Sequence, residues 1–262
     1  VPESCDVRVS SALPLVVLLS SARADDLPPA VWRSLGPPAG LVVSLAADPS
    51  NSNVLYAGTT SGGIYKSSDG ARHWASANKG LPERYGLSTY SLAIDPSAPA
   101  TVYATALYGV FKSTDRGGTW TDSSNGLPEF PHMTSLVVDP LHGQRIFAAA
   151  DGAVVRSTDG GASWQPSSKG VHEQVVTIAL AASVPQVLLA GTLGGGAFRS
   201  VDGGDTWVPV GQGLTDPVVW KVAIDPIDWA LAYAGTSSQG LFRSTDAGAT
   251  WAPNGLTGLG VY

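Results

Sequence analysis

The sequence predicts an all-β fold, a β-propeller of four-stranded antiparallel blades, on three observations. An eight-residue signature, Ser-x-Asp-x-x-x-x-Trp, recurs five times, and its starts at Ser67, Ser113, Ser157, Ser200 and Ser244 lie 46, 44, 43 and 44 residues apart. A fixed period of that size marks a repeat architecture, and near 44 residues with strand-like filling it marks a propeller blade. The 31 glycines and 19 prolines among 262 residues also supply the many tight turns such a fold requires.

The second unit shows how each element is read. Ser91-Leu92-Ala93-Ile94 is a short apolar run closed by the turn residues Asp95-Pro96-Ser97. Thr101-Val102-Tyr103-Ala104 is β-branched and aromatic, Gly109-Val110-Phe111-Lys112 follows a second break, and Thr119-Trp120-Thr121 opens a last run. Four short strands separated by turn residues result, named A to D from the inside outward. They recur from Val42–Ala47, Val54–Gly58, Ile64–Lys66 and Trp74 in the first unit to Val222–Ile224, Leu231–Ala234, Leu241–Arg243 and Trp251 in the fifth. The signature falls on each C-to-D hairpin. Its Asp (Asp69, Asp115, Asp159, Asp202, Asp246) can accept from backbone N–H groups just downstream, and the Ser hydroxyl can add a local bond. Glycine at its fifth position allows a positive φ. The Trp (Trp74, Trp120, Trp164, Trp207, Trp251) can cover the hairpin or wedge between blades.

The pattern S-x-D-x-G-x-[ST]-W resembles the Asp-box, or bacterial neuraminidase repeat, over about residues 31 to 262. The flanks Gly109-Val110-Phe111-Lys112 and Asn125-Gly126-Leu127-Pro128 resemble bacterial secreted proteins built from such repeats, a group that includes sialidases and xyloglucanases. The resemblance implies a propeller with the signatures on the rim away from the ligand face. The first copy departs from it, with Ala71 for glycine and His73 for Ser/Thr, and is expected to be the most distorted.

Val31-Trp32-Arg33-Ser34-Leu35 resembles a D strand with no A, B or C before it, while Gly260-Val261-Tyr262 stands where a new strand A would start. The expectation is five blades plus a spare N-terminal D strand. The ring would be incomplete, truncated at the C-terminus by at least roughly 30 residues, the A-to-C length of a repeat, with six to eight blades in the full protein.

Residues 12 to 19 are apolar and lead to Ala22-Arg23-Ala24, which fits a signal-peptidase site. Residues 1–24 are therefore read as a signal peptide, residues 25–262 as the propeller, and the protein as secreted or periplasmic. The apolar run is far short of the ~20 residues that a membrane span requires. Cys5, the single cysteine, would leave with the signal, which excludes disulfides and Cys-based metal sites from the mature chain. A net charge of −6 argues against a nucleic-acid partner. Lys66, Lys112, Arg156, Arg199 and Arg243 occupy one repeat position beside the signatures, and a scaffold role on a solvated rim is expected of them.

What remains after the repeat is subtracted lies in the D-to-A and B-to-C connections, which emerge on one face. Glu83, Tyr85, Glu129, His132, Glu173 and Trp220 are the candidate ligand-binding residues there, because aromatic groups beside carboxylates suit a carbohydrate or peptide surface. Neighbours on the same face are Tyr108, Asp151, Asp216 and Gln239. A sialidase would need an Arg-Ile-Pro motif and an arginine trio, yet Arg145-Ile146 is followed by Phe147. Two carboxylates of a glycosidase could come from Glu83, Glu129, Glu173 and Asp216. His73, His132, His142 and His172 show no metal-ligand spacing, so no metal and no cofactor is expected. The reading is a secreted, non-catalytic glycan- or protein-binding propeller. The alternatives are a sialidase-like or xyloglucanase-like glycoside hydrolase and an assembly factor resembling the photosystem II stability factor.

Overall fold

The computed structural model describes residues 35–38, 40–82, 88–106, 108–129 and 131–261. They form five four-stranded antiparallel sheets and no helix. Blade one is β1 (Val42–Asp48), β2 (Asn51–Thr59), β3 (Gly63–Ser67) and β4 (Ala75–Ser76). Blade two is β5 (Thr89–Ile94), β6 (Val102–Ala106), β7 (Gly109–Ser113) and β8 (Thr121–Asp122). Blade three is β9 (Met133–Val138), β10 (Ile146–Ala150), β11 (Ala153–Ser157) and β12 (Gln165–Pro166). Blade four is β13 (Gln174–Leu180), β14 (Leu188–Leu193), β15 (Ala197–Ser200) and β16 (Val208–Pro209). Blade five is β17 (Val219–Ile224), β18 (Ala232–Thr236), β19 (Leu241–Ser244) and β20 (Ala252–Pro253). Each blade is a meander, with its strands side by side in chain order as the turn spacing predicts.

The core lies between blades rather than within them. One cluster joins Tyr56 and Ile64 of blade one to Leu92, Val102 and Trp120 of blade two, and a second joins Tyr103 and Val110 to Met133, Ile146 and Trp164. Two more fill the next seams around Phe147, Leu188 and Trp207, then around Leu189, Val222, Phe242 and Trp251. A sheet with two apolar faces has to bury both, and a neighbouring blade on each side does so.

The inner strands β1, β5, β9, β13 and β17 pack in that order around a central channel of about 430 Å³, and the ring is not closed between β17 and β1. Two details at the open side follow the repeat. Val261 sits against Gly235 as Val219 sits against Gly191, so it takes the position of a next inner strand's first residue. Trp74 Nε1 donates to the Leu35 carbonyl as Trp120 Nε1 donates to Ala77, so Leu35 takes the position that in blade one follows strand D. Trp32 itself and residues 1–24 lie outside the described residues.

Candidate functional site

The five signatures form nearly identical turns at one end of the blades. In the third, Ser157 Oγ donates to Asp159 Oδ1 (2.8 Å) and accepts from Gly161 N–H (2.8 Å), while Ser163 N–H and Ser163 Oγ–H donate to the two carboxylate oxygens (2.9 and 2.6 Å). The fourth and fifth residues of every copy have positive φ, here Gly160 (68°) and Gly161 (84°). The Asp159 carboxyl is held down at about 2, first by the Ser163 hydroxyl, then by the Ser163 N–H and the Ser157 hydroxyl. Both carboxylate oxygens are engaged inside the turn.

The first copy is not distorted, contrary to the sequence expectation. Ala71 adopts φ 67°, its N–H reaches Ser67 Oγ at 2.9 Å, and His73 Nδ1 replaces the missing hydroxyl 2.6 Å from Asp69 Oδ2. The indoles of Trp120, Trp164, Trp207 and Trp251 are buried in the seams between blades. Each reaches across the seam to a backbone carbonyl of the preceding blade, Trp164 to Ser123 and Trp207 to Ser167 at 2.7 Å.

Four of the five basic residues beside the signatures, Lys66, Lys112, Arg156 and Arg199, are staples between blades. Lys66 Nζ and Tyr56 Oη both donate to the Arg116 carbonyl in the next blade's signature turn (2.8 and 2.9 Å), and Lys112 and Tyr103 repeat this on the Gly160 carbonyl. Burial pushes the Tyr56 and Tyr103 phenols up to about 12. Arg156 reaches the Gly203 carbonyl and Asp205 in the same way.

At the opposite end the D-to-A and B-to-C connections touch each other. His132 N–H donates to Asp151 Oδ1 (2.8 Å) and Asp151 N–H returns a bond to the His132 carbonyl (3.0 Å). The exposed His132 ring leans on Tyr90, centroids 5.7 Å apart and tilted by 48°, and Tyr90 lines the channel. Glu129 and Tyr108 are exposed on the same connections. Glu173 is half-buried, and its carboxylate accepts from His172 N–H at 3.3 Å. Trp220 is half-buried at the bulge of β17. Glu83 and Tyr85 lie outside the described residues.

Asp216 is fully committed to structure. Its carboxylate accepts from the N–H groups of Val218 and Ser238 and from the hydroxyls of Ser237 and Ser238. Burial works to raise its pKa, but these bonds outweigh burial and the pKa is lowered. Such a carboxylate stays charged and is a poor general acid. Among the described residues no cluster of His, Cys, Asp and Glu could hold a metal ion, and no helix is long and apolar enough to cross a membrane.

Sequence reasoning missed Tyr90 and Lys221, which both line the channel. Aligning the five inner strands in register would have found Lys221, which stands where the other four blades carry Ser or Thr.

This geometry has counterparts among known proteins. A family model described as the DUF6242 β-propeller domain matches residues 92–217. The chain is a β-propeller. No curated protein matches it. Among solved structures it is similar to an ancestral GH74 enzyme, with 22% identity and a TM-score of 0.72 over 88% of this chain and 33% of that one. It is similar also to the GH74 xyloglucanase from Xanthomonas campestris, with 19% identity and a TM-score of 0.58 over 86% of this chain and 47% of that one. A third is YCF48 bound to D1 peptide, with 15% identity and a TM-score of 0.57 over 78% of this chain and 64% of that one. The chain thus spans 33% of the length of the first of these, and at such identities the likeness is one of fold.

Proposed function

We propose that the protein is a secreted, non-catalytic Asp-box propeller that binds an extended glycan or protein segment on the face formed by its D-to-A and B-to-C connections. The observation that carries this reading is the Tyr90–His132 pair, an aromatic platform at the mouth of the channel with exposed Glu129 and Tyr108 on the same connections. Aromatic and imidazole rings give large contact area for few rotatable bonds, and a nearby carboxylate accepts hydroxyl or amide donors. The signature end is unsuited to this, because its carboxylates and carbonyls are already bonded. Secretion rests on the apolar run and Ala22-Arg23-Ala24. The hydrolase alternative loses one of its four acids, Asp216, to loop structure.

A glycan array and a pull-down from culture supernatant, run with wild type, His132→Ala and Tyr85→Ala, test the reading. Binding is expected to fall about tenfold or more in each variant and to be unchanged in Ile227→Ser, which alters an exposed turn at the other end. Loss of binding with Ile227→Ser alone would put the site on the wrong face. Turnover of a glycoside that disappears in Glu129→Gln would replace the binding module with an enzyme.

A further inference from the structure

Each inner strand carries a bulge, and the residue that follows it is Ser44, Ser91, Ser135, Thr177 or Lys221. All five line the central channel. Three of the hydroxyls link consecutive blades. Leu92 N–H donates to Ser44 Oγ (2.9 Å), Leu136 N–H to Ser91 Oγ (3.1 Å) and Ile178 N–H to Ser135 Oγ (3.2 Å). An ammonium group has no acceptor capacity, so Lys221 cannot repeat that link. Blade five thus places a cation in the channel where the other four blades place a hydroxyl.

The surroundings of that cation are distinctive. Lys221 is the one formally charged residue among those lining the channel, and the other titratable side chain there is Tyr90. Its ammonium makes no ion pair or hydrogen bond with another described residue, whereas Lys66 and Lys112 each find a carbonyl. The side chain remains solvent-exposed, yet surrounding protein desolvates the ammonium and lowers its pKa. The walls beside it are largely aliphatic, Leu45, Ala93, Val137 and Leu180 among them, and 430 Å³ is the volume of a small-molecule site.

We propose that the central channel binds a small aliphatic carboxylate, its carboxylate paired with the Lys221 ammonium and its hydrocarbon part against the inner-strand side chains. Tyr90 borders both this site and the loop platform, but Lys221 belongs to the channel and His132 to the platform, so variants at these two residues can fail independently.

Titration of the whole chain with sodium butyrate, followed by backbone amide shifts in NMR, tests this. Saturable shifts are expected at the inner strands. Affinity should fall about tenfold or more, the worth of a charge-assisted hydrogen bond, in Lys221→Ser, which installs the residue of blades one to three, and in Lys221→Gln, which keeps the length. Lys79→Ser, at an exposed loop, should bind as wild type does, and butyramide should not saturate. The proposal is overturned by an absence of saturable butyrate binding, by equal binding to the Lys221 variants, or by equal binding of butyramide. Sodium chloride competing as well as butyrate would overturn the carboxylate assignment in favour of an inorganic-anion site.

Discussion

The four filled seams and the open side of the ring are made from the same repeat, yet their residues behave differently. A Cβ on the signature's fifth residue would come within 2.9 Å of Tyr56 at Gly117, 2.5 Å of Ser123 Oγ at Gly161, 2.6 Å of Phe147 at Gly204 and 2.6 Å of Leu189 at Gly248. In every case the obstacle belongs to the preceding blade. The first signature faces no described preceding blade beyond the segment at Leu35, and there the residue is Ala71. On the other side, Tyr233 and Arg243 are placed in blade five as Tyr56 and Lys66 are in blade one, but they meet no carbonyl among the described residues. The signature is thus a seam motif. Its Ser and Asp build the turn, whereas its glycine and Trp answer to the neighbouring blade.

This contrast can be broken by experiment, and the largest effect is expected at the tryptophans. Trp164→Ala should cost about 3–5 kcal/mol, because it empties a buried seam. Trp74→Ala should cost roughly half as much or less, since Trp74 is only half-buried. Denaturant midpoints that move equally would refute the seam reading. Next come the fifth positions. Gly204→Ala should lose about 2–3 kcal/mol from the approach to Phe147 and the left-handed backbone. Ala71→Gly should gain roughly 0.5–1 kcal/mol by relieving a left-handed alanine. A stabilising Gly204→Ala in thermal unfolding would sink the steric account. The smallest effect is expected at the staples. Lys112→Met should cost about 0.5–1.5 kcal/mol through its bond to the Gly160 carbonyl, and Arg243→Met should leave the melting midpoint where it is.

The fold was legible because its determinants are local and repeated. Four short apolar runs and a hairpin signature recur five times, with an Asp-Pro turn in four of the five units, and each copy repeats the message of the others. What the sequence did not show was which neighbour a residue answers to. His73 read as a defect, but an imidazole nitrogen can reach Asp69 much as the Ser and Thr hydroxyls of other copies do, so the turn survives. Asp216 read as a candidate acid, although Ser237 and Ser238, more than twenty residues away, neutralise that role. The Tyr90–His132 contact joins two blades and has no signal in either strand alone.

The seam bonds also bear on how the chain reaches this shape. The link from Leu92 to Ser44 closes 48 residues, that from Leu136 to Ser91 closes 45, and that from Tyr56 to Arg116 closes 60. None of these links requires remote ends to find each other, so the closure entropy at each step is that of a single repeat and does not grow as blades accumulate. Energetically the described residues are a row of five units with four nearest-neighbour couplings, closer to a stacked solenoid than to a knot of long-range contacts. Damage to one coupling is then felt by the two blades that share it.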